Sequence, residues 1–338
     1  MSSIQDVADL AGVSTATVSR ALSGKGTVSV ATRERVASAA DELGYVVSSS
    51  ASSLATGRTK NVGVVIPALN QWFFSSVLEG AQRSLISHGY DLTLYNLSGG
   101  GEERRSVFES FLLRKRVDAV IAISLELTAA EVSRLLAMNK PIVGVGGPLP
   151  GVRTLSIDNR SVARLATEHL LSLGHRNIAH ISGTPDFERD FHLPANRRVG
   201  YEAALTAAGI SPDPELFRRA DFTIPGGYTA AKQLLGSPRN RPTAVFASSD
   251  EMAIGTILAA RDLGMNVPGD LSVIGVDDHE LSAFFGLSTV AQFPAVQGRK
   301  AVDILMEQLH PGPRTVKALD TPLPYELIVR SSTARPRP

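Results

Sequence analysis

The 338-residue sequence predicts a small all-α helix-turn-helix head joined to an α/β body of two lobes, each a parallel sheet flanked by helices. Three observations carry this expectation. Short capped helices with apolar faces fill the first 45 residues, a Ser-rich stretch follows, and from residue 61 two successive sets of short apolar runs alternate with helical segments.

In SIQDVADLAGVSTATVSRAL, residues 3–22, Ser3 is placed to cap a first helix and Asp6 to sit in its positive first turn. Val7, Ala8 and Ala11 share one face, and Gly12 follows as a left-handed stop. Ser14 then caps a second helix with Val18 and Leu22 inward and Thr15, Ala16, Ser19 and Arg20 outward. A short helix braced by neighbours fits the ~12 Å major groove with its N-terminal residues at base edges, so the pattern points to DNA; an ordinary helical hairpin uses the same caps. Local charge is nearly balanced, which leaves phosphate contacts to placement rather than to net charge. A third helix opens at Ser29 and Thr32, buries Val36, Ala39, Ala40 and Leu43, and ends at Gly44. Residues 45–61 are too weakly helical to stand alone in water.

Asp6-Val7-Ala8, Gly12-Val13-Ser14 and Thr17-Val18-Ser19-Arg20 together resemble the head of the LacI/GalR family of bacterial transcription regulators, and the resemblance extends over nearly the whole chain. It implies DNA contacts from Ser3, Ser14, Thr15, Ala16, Thr17, Ser19 and Arg20. It also implies a hinge helix over 48–56 that forms on operator DNA, with Leu54 wedged between bases. Wedging costs a few kcal/mol of stacking and is offset by the bent, widened minor groove. Thr15 and Ala16 occupy the positions by which the family selects its operator. Arg20 can pair bidentately with guanine. Val47 and Ser52 stand where the family often has Pro and Arg, which leaves the strength of hinge binding open.

In the body, VGVVIP (62–67), DLTLYN (91–96), AVIAIS (119–124) and PIVGVG (141–146) form one set of expected strands. NIAHISG (177–183), FRRADF (217–222), TAVFASSD (243–250) and SVIGVDD (272–278) form the second. Gly89, Gly174, Gly209 and Gly264 close the intervening helices. Two open parallel sheets facing each other create a cleft beyond the carboxyl ends of their strands.

The resemblance implies a periplasmic-binding-protein-like body whose chain crosses between lobes near Asp158, Ala291 and Leu319. The expected organisation is a head over 1–46, a hinge over 47–60, a body over 61–330 and a tail over 331–338. The first lobe takes about 61–157 and 292–318, the second about 158–291 and 319–330. Family positions place Arg197, Phe222, Ser249, Glu251 and Asp277 against a ligand, with Ser124 and Asp158 as weaker candidates. In the Asn70–Phe74 segment, Phe73 falls in the family's aromatic stretch. Trp72, the only tryptophan, offers a platform for a sugar face or a base, or else packs between lobes. The terminal ARPRP reads as a disordered tail.

Other classes find little support. Gly99-Gly100-Gly101 lacks the phosphate-loop spacing, no HExxH or GxSxG occurs, and adjacent Asp277 and Asp278 on a strand end point apart. The expectation is therefore no enzyme, no metal and no cofactor. With no cysteine, no signal segment and no apolar run of membrane length, a cytoplasmic location follows. The partners expected are double-stranded operator DNA, a second copy of the chain and a small-molecule effector, with a carbohydrate favoured. Open alternatives are a purine or nucleoside corepressor, a protein signal, and a solute-binding protein or enzyme with an incidental helical head.

Overall fold

The computed structural model describes residues 2–23, 27–45, 57–97, 101–114, 116–125, 127–184, 192–236, 240–311 and 319–337. It divides into a small unit of residues 1–61 with 116–118 and a large unit of residues 62–115 with 119–338.

Among its described residues the small unit holds three helices, α1 (Ile4–Ala11), α2 (Thr15–Ser23) and α3 (Val30–Glu42). Ser3 and Asp6 form a reciprocal capping box: the Ser3 hydroxyl accepts from the Asp6 N–H, and the Asp6 carboxylate accepts from the Ser3 N–H at 2.7 Å. Those bonds hold the Asp6 carboxyl below the usual carboxylate range. Gly12 turns the chain at φ 64°, where a side chain would be strained. Ser14 and Ser29 accept from the N–H groups of Thr17 and Thr32, so all three helices start on a hydroxyl cap. Val7, Ala8, Ala11, Val18, Ala21, Val36, Ala39 and Ala40 form the core, with Leu22 and Leu43 partly buried around it. These mostly small side chains let three short helices approach closely, and packing supplies what such lengths lack alone.

Among its described residues the large unit is built on twelve strands: β1 (Asn61–Ile66), β2 (Asp91–Asn96), β3 (Ala119–Ile123), β4 (Ile142–Gly146), β5 (Arg153–Ser156), β6 (Ile178–Gly183), β7 (Phe217–Ala220), β8 (Ala244–Ala247), β9 (Ser272–Asp277), β10 (Ser288–Ala291), β11 (Asp320–Pro322) and β12 (Glu326–Ile328). They form two sheets, ordered β2-β1-β3-β4-β5-β11 and β7-β6-β8-β9-β10-β12. β10 and β12 pair antiparallel; the pairings from β1 through β3, β4 and β5 to β11, and from β7 through β6, β8 and β9 to β10, are parallel. Each sheet reverses its strand order beside its first strand, so each has a switch point where a crevice opens at the carboxyl ends.

The first lobe's core joins β1, β3 and β4 to the helices Trp72–Ser87 and Pro294–Leu309. Those helices touch at glycine: a Cβ on Gly80 would lie 2.0 Å from the Ala295 carbonyl oxygen, and one on Gly298 2.0 Å from that of Val77. Helix Pro294–Leu309 therefore belongs to the first lobe although β10 before it belongs to the second. The chain passes from the first sheet to the second after β5 and leaves the second after β10. The crossing expected near Leu319 lies later, because β11 pairs with β5 in the first sheet and its Asp320 carboxylate accepts from the hydroxyls of Thr154 and Ser156 at 2.9 and 2.7 Å. The chain returns to the second lobe only after Pro322.

The tail also departs from expectation. Residues 331–337 lie against the second lobe: Ser332 exchanges backbone bonds with Gly286 and Val273, and the Ala334 carbonyl meets the His175 ring at 2.8 Å. Composition suggested disorder in ARPRP, but backbone pairing upstream anchors it, and Arg337 pairs with Asp270 at 2.6 Å.

Asp250, at the start of helix Asp250–Asp262, fixes the link between β9 and β10. Its fully buried carboxyl accepts from the His279 N–H at 2.9 Å and from the hydroxyls of Ser282 and Thr289 at 2.7 Å each. Burial pushes its pKa up to about 7 against the pull of these donors. Gly275 makes room for it, since a Cβ there would stand 2.1 Å from the Asp250 Oδ1. Asp250→Ala strands three donors, and urea denaturation should show a loss of at least ~2 kcal/mol. A variant as stable as the parent would contradict this role.

Candidate functional site

In the small unit, Ala16, Ser19 and Arg20 stand exposed on α2, with Thr15 and Thr17 half-buried beside them. The Ser14 hydroxyl caps the helix and meets the Thr17 hydroxyl at 3.0 Å. Arg20 folds back so that its Nε donates to the Ala16 carbonyl at 3.1 Å, which holds the guanidinium over the same face. Ser3 is exposed at the start of α1. Leu54, with Val47 and Ser52, lies outside the described residues.

In the large unit the carboxyl ends of both sheets face a cleft of about 660 Å³, its open mouth included. The first lobe brings Phe73 and Phe74 from the helix after β1, Ser124 from the end of β3 and Gln297 from helix Pro294–Leu309. The second brings Asn159, Arg197, Phe222, Ser249, Glu251 and Asp277, each from the end of a strand, from just beyond one or from the first turns of a helix. Parallel topology accounts for this convergence: every strand of a set ends on the same side, and the helix that follows starts there.

Backbone strain collects at the same edge. Ser124, Phe222 and Asp277 line the cleft with φ of 47°, 61° and 122°, conformations that side-chain-bearing residues rarely adopt. Phe222 packs against Gly183, where a Cβ would come within 2.3 Å of its ring. The strain is held by packing and aims these side chains into the cleft.

Arg197 is buried to 2% exposure, yet its charge is served. Its Nε donates to Asn159 Oδ1 at 2.9 Å and its Nη1 to the Ser248 carbonyl. Asp277 accepts from the Gln292 side-chain amide, and the Gln292 backbone carbonyl accepts in turn from the Gln297 side-chain amide at 2.8 Å. Burial drives the Asp277 carboxyl well above the ordinary range, with Arg197 pulling it back. Burial likewise raises Glu251 to about 7; the Trp72 backbone N–H opposes the shift, while Asp221 adds to it. The result is one fixed cation, two carboxyls costly to ionise, several neutral amides and hydroxyls, and aromatic faces at the sides. Such a lining suits a small ligand that both donates and accepts hydrogen bonds. Among the described residues, no group of three or more His, Cys, Asp or Glu could hold a metal ion. No described helix is long and apolar enough to cross a membrane.

Phe73, Ser124, Arg197, Phe222, Ser249, Glu251 and Asp277, all named from the sequence, are thus drawn together. Trp72 is not on the cleft wall; its ring lies against His279 with centroids 4.6 Å apart. The Asp158 carboxylate caps the helix Asn159–Ser172. Phe74 does both jobs considered for an aromatic there, packing in the first core and lining the cleft. No sequence motif singles out Asn159, Gln292 and Gln297, which also line the cleft. Their signal was positional: two follow lobe crossings directly, and all three lie at or next to a helix start.

Residues 3–48 match the bacterial regulatory proteins of the lacI family, and residues 167–333 match a periplasmic binding protein-like domain. The HTH-type transcriptional repressor PurR of Vibrio atlanticus (strain LGP32) is 36% identical over 315 residues, covering 91% of this chain and 92% of its own. The ribose operon repressor of Escherichia coli (strain K12) is 36% identical over 317 residues, covering 91% and 93%. A solved structure of the lac repressor dimer bound to operator and the anti-inducer ONPF matches with a TM-score of 0.85 at 27% identity, over 98% of this chain and 99% of that one. Head motifs, doubled parallel sheets and near full-length similarity agree that the chain belongs to the lacI family of bacterial regulatory proteins.

Proposed function

We propose that this chain is a transcriptional repressor that reads a pseudo-palindromic operator as a homodimer and is released when a small effector, a sugar in the first instance, occupies the cleft. The observation that carries this is the pairing, in one chain, of a helix-turn-helix head exposing Ala16, Ser19 and Arg20 with a cleft floored by Arg197 and Asp277. One head presents one recognition helix, so a palindrome requires a symmetric pair. Ser3, Ser14, Thr15 and Thr17 would orient the head, Ala16 would meet a thymine methyl and Arg20 a guanine. Leu54 would wedge the centre of the site, as the family resemblance implies. The protein would act in the cytoplasm, where the operator is, and the cleft would bind without turnover.

In the cleft, Arg197 and Asp277 would serve hydroxyl oxygens and hydroxyl hydrogens respectively, with Asn159 and Ser249 beside them and Phe73 and Phe222 covering ring faces. The PurR relative favours a second possibility on the same geometry, a purine or nucleoside that tightens rather than weakens DNA binding. The sign of coupling separates the two.

Selection of random-sequence DNA on the full-length protein should enrich inverted repeats. Arg20→Ala should weaken binding to the enriched site by roughly 5- to 150-fold, the equivalent of ~1 to 3 kcal/mol, while leaving effector binding intact. Failure to enrich any DNA would overturn the assignment. Against a panel of mono- and oligosaccharides, nucleosides and purine bases, one class should change fluorescence anisotropy on that site. Arg197→Ala should abolish this response and keep DNA binding without ligand; a retained response would remove Arg197 from the effector site.

A further inference from the structure

We propose that Arg330, which does not line the cleft, is a positioning residue for the effector site: by holding the Asp278 carboxylate it keeps two consecutive positive-φ residues in the conformation that presents Asp277 to the cleft. Its hold on this turn follows from hydrogen bonds in the structure. Its effect on effector affinity rests on the cleft being the effector site.

β9 ends at Asp277, and the φ angles of Asp277 and Asp278 are 122° and 58°. Residues with a Cβ rarely adopt either value, and a run of two persists only where its surroundings enforce it. Released, the pair would relax toward negative φ and swing the Asp277 carboxyl away from the Gln292 amide that donates to it. The two neighbouring carboxyls part at this turn. Asp277 lines the cleft, whereas Asp278 does not and accepts from Arg330 Nη2 at 2.7 Å.

Arg330 is itself fixed. Its backbone N–H donates to the Ser288 hydroxyl at 2.9 Å and its Nη1 to the Leu287 carbonyl at 2.8 Å, both on buried residues where β10 begins. One planar guanidinium therefore ties the entry of β10 to the exit of β9, and its pre-organised fork suits two acceptors better than a flexible ammonium would. With side chains only 22% and 31% exposed, the Arg330–Asp278 pair is shielded from the screening that weakens surface bridges. Thr289 and Asp250 act on the backbone instead: the Thr289 hydroxyl accepts from the Asp278 N–H at 3.3 Å, and Asp250 from the His279 N–H at 2.9 Å. Arg330 adds the hold on the Asp278 side chain.

Three variants of the full-length protein test this: Arg330→Ala, Asp278→Ala and Asp278→Gly. The last two delete the same carboxylate, but only glycine takes a positive φ without cost, so they separate a hold on backbone conformation from a mere loss of charge. Ligand-free crystal structures of Arg330→Ala and Asp278→Ala should show the Asp277 carboxyl withdrawn from Gln292, and that of Asp278→Gly should show it in place. Against the panel of mono- and oligosaccharides, nucleosides and purine bases, the half-saturating concentration of the compound that acts on the parent should rise roughly 10-fold in the two first variants and stay within about 3-fold in Asp278→Gly, with operator binding in the absence of ligand unchanged in all three. Asp277 still bonded to Gln292 in Arg330→Ala would overturn the proposal, and so would equal losses in Asp278→Ala and Asp278→Gly. Should Arg330→Ala fail to fold, the two Asp278 variants decide. A parent that answers to no compound of the panel would overturn the effector role, while the crystal structures would still decide whether Arg330 holds the turn.

Discussion

Asp250 gathers three donors from a segment that would otherwise have no reason to lie where it does. The His279 N–H and the hydroxyls of Ser282 and Thr289 all turn inward to one buried carboxyl, and the carboxyl tolerates burial because they do. Asp277 reaches the cleft, and His279 faces Trp72, through this arrangement. A single acceptor at the end of β8 thus sets the second lobe's half of the site. The first lobe's half depends instead on close helix packing at Gly80 and Gly298, which brings Gln297 alongside Phe74.

The electrostatics of the cleft follow from its topology. Strands ending together bring helix N-termini together, and these positive ends favour acceptors such as Glu251 and the Asp158 carboxylate. Arg197 would be intolerable there alone. Asn159 and the Ser248 carbonyl fix it, and Asp277 opposes its charge. On the proposed reading, a ligand bridging Arg197 and Asp277 would meet dipoles already oriented, so little reorganisation would oppose binding. Any effect on DNA must then come from a difference in ligand affinity between two arrangements of the molecule.

Much of this was legible in the sequence, for identifiable reasons. β1, β3, β6 and β9 are apolar runs buried on both faces, and each is recognisable without its neighbours. β5, β11 and β12 are three or four residues long and partly polar. Their pairing depends on distant partners such as Asp320 for Thr154, which no local pattern encodes. The same holds for the tail, whose anchors at Val273 and His175 lie far upstream. In the cleft, charged and aromatic residues at family positions were identifiable, whereas Asn159, Gln292 and Gln297 look like ordinary polar residues until the crossings bring them inward. Trp72 was recognised as special, but whether it faced ligand or the other lobe depended on His279, seven residues after β9 begins.

On the proposed function, cleft and operator are linked. Its most direct test measures the affinity of the effector identified by the panel twice, once for free protein and once for protein saturated with its selected operator. The two values should differ by the same factor by which saturating effector changes operator affinity, since coupling is reciprocal. Equal affinities for the free and operator-bound protein would contradict the account: head and cleft would then be two binding sites on one chain with nothing passing between them.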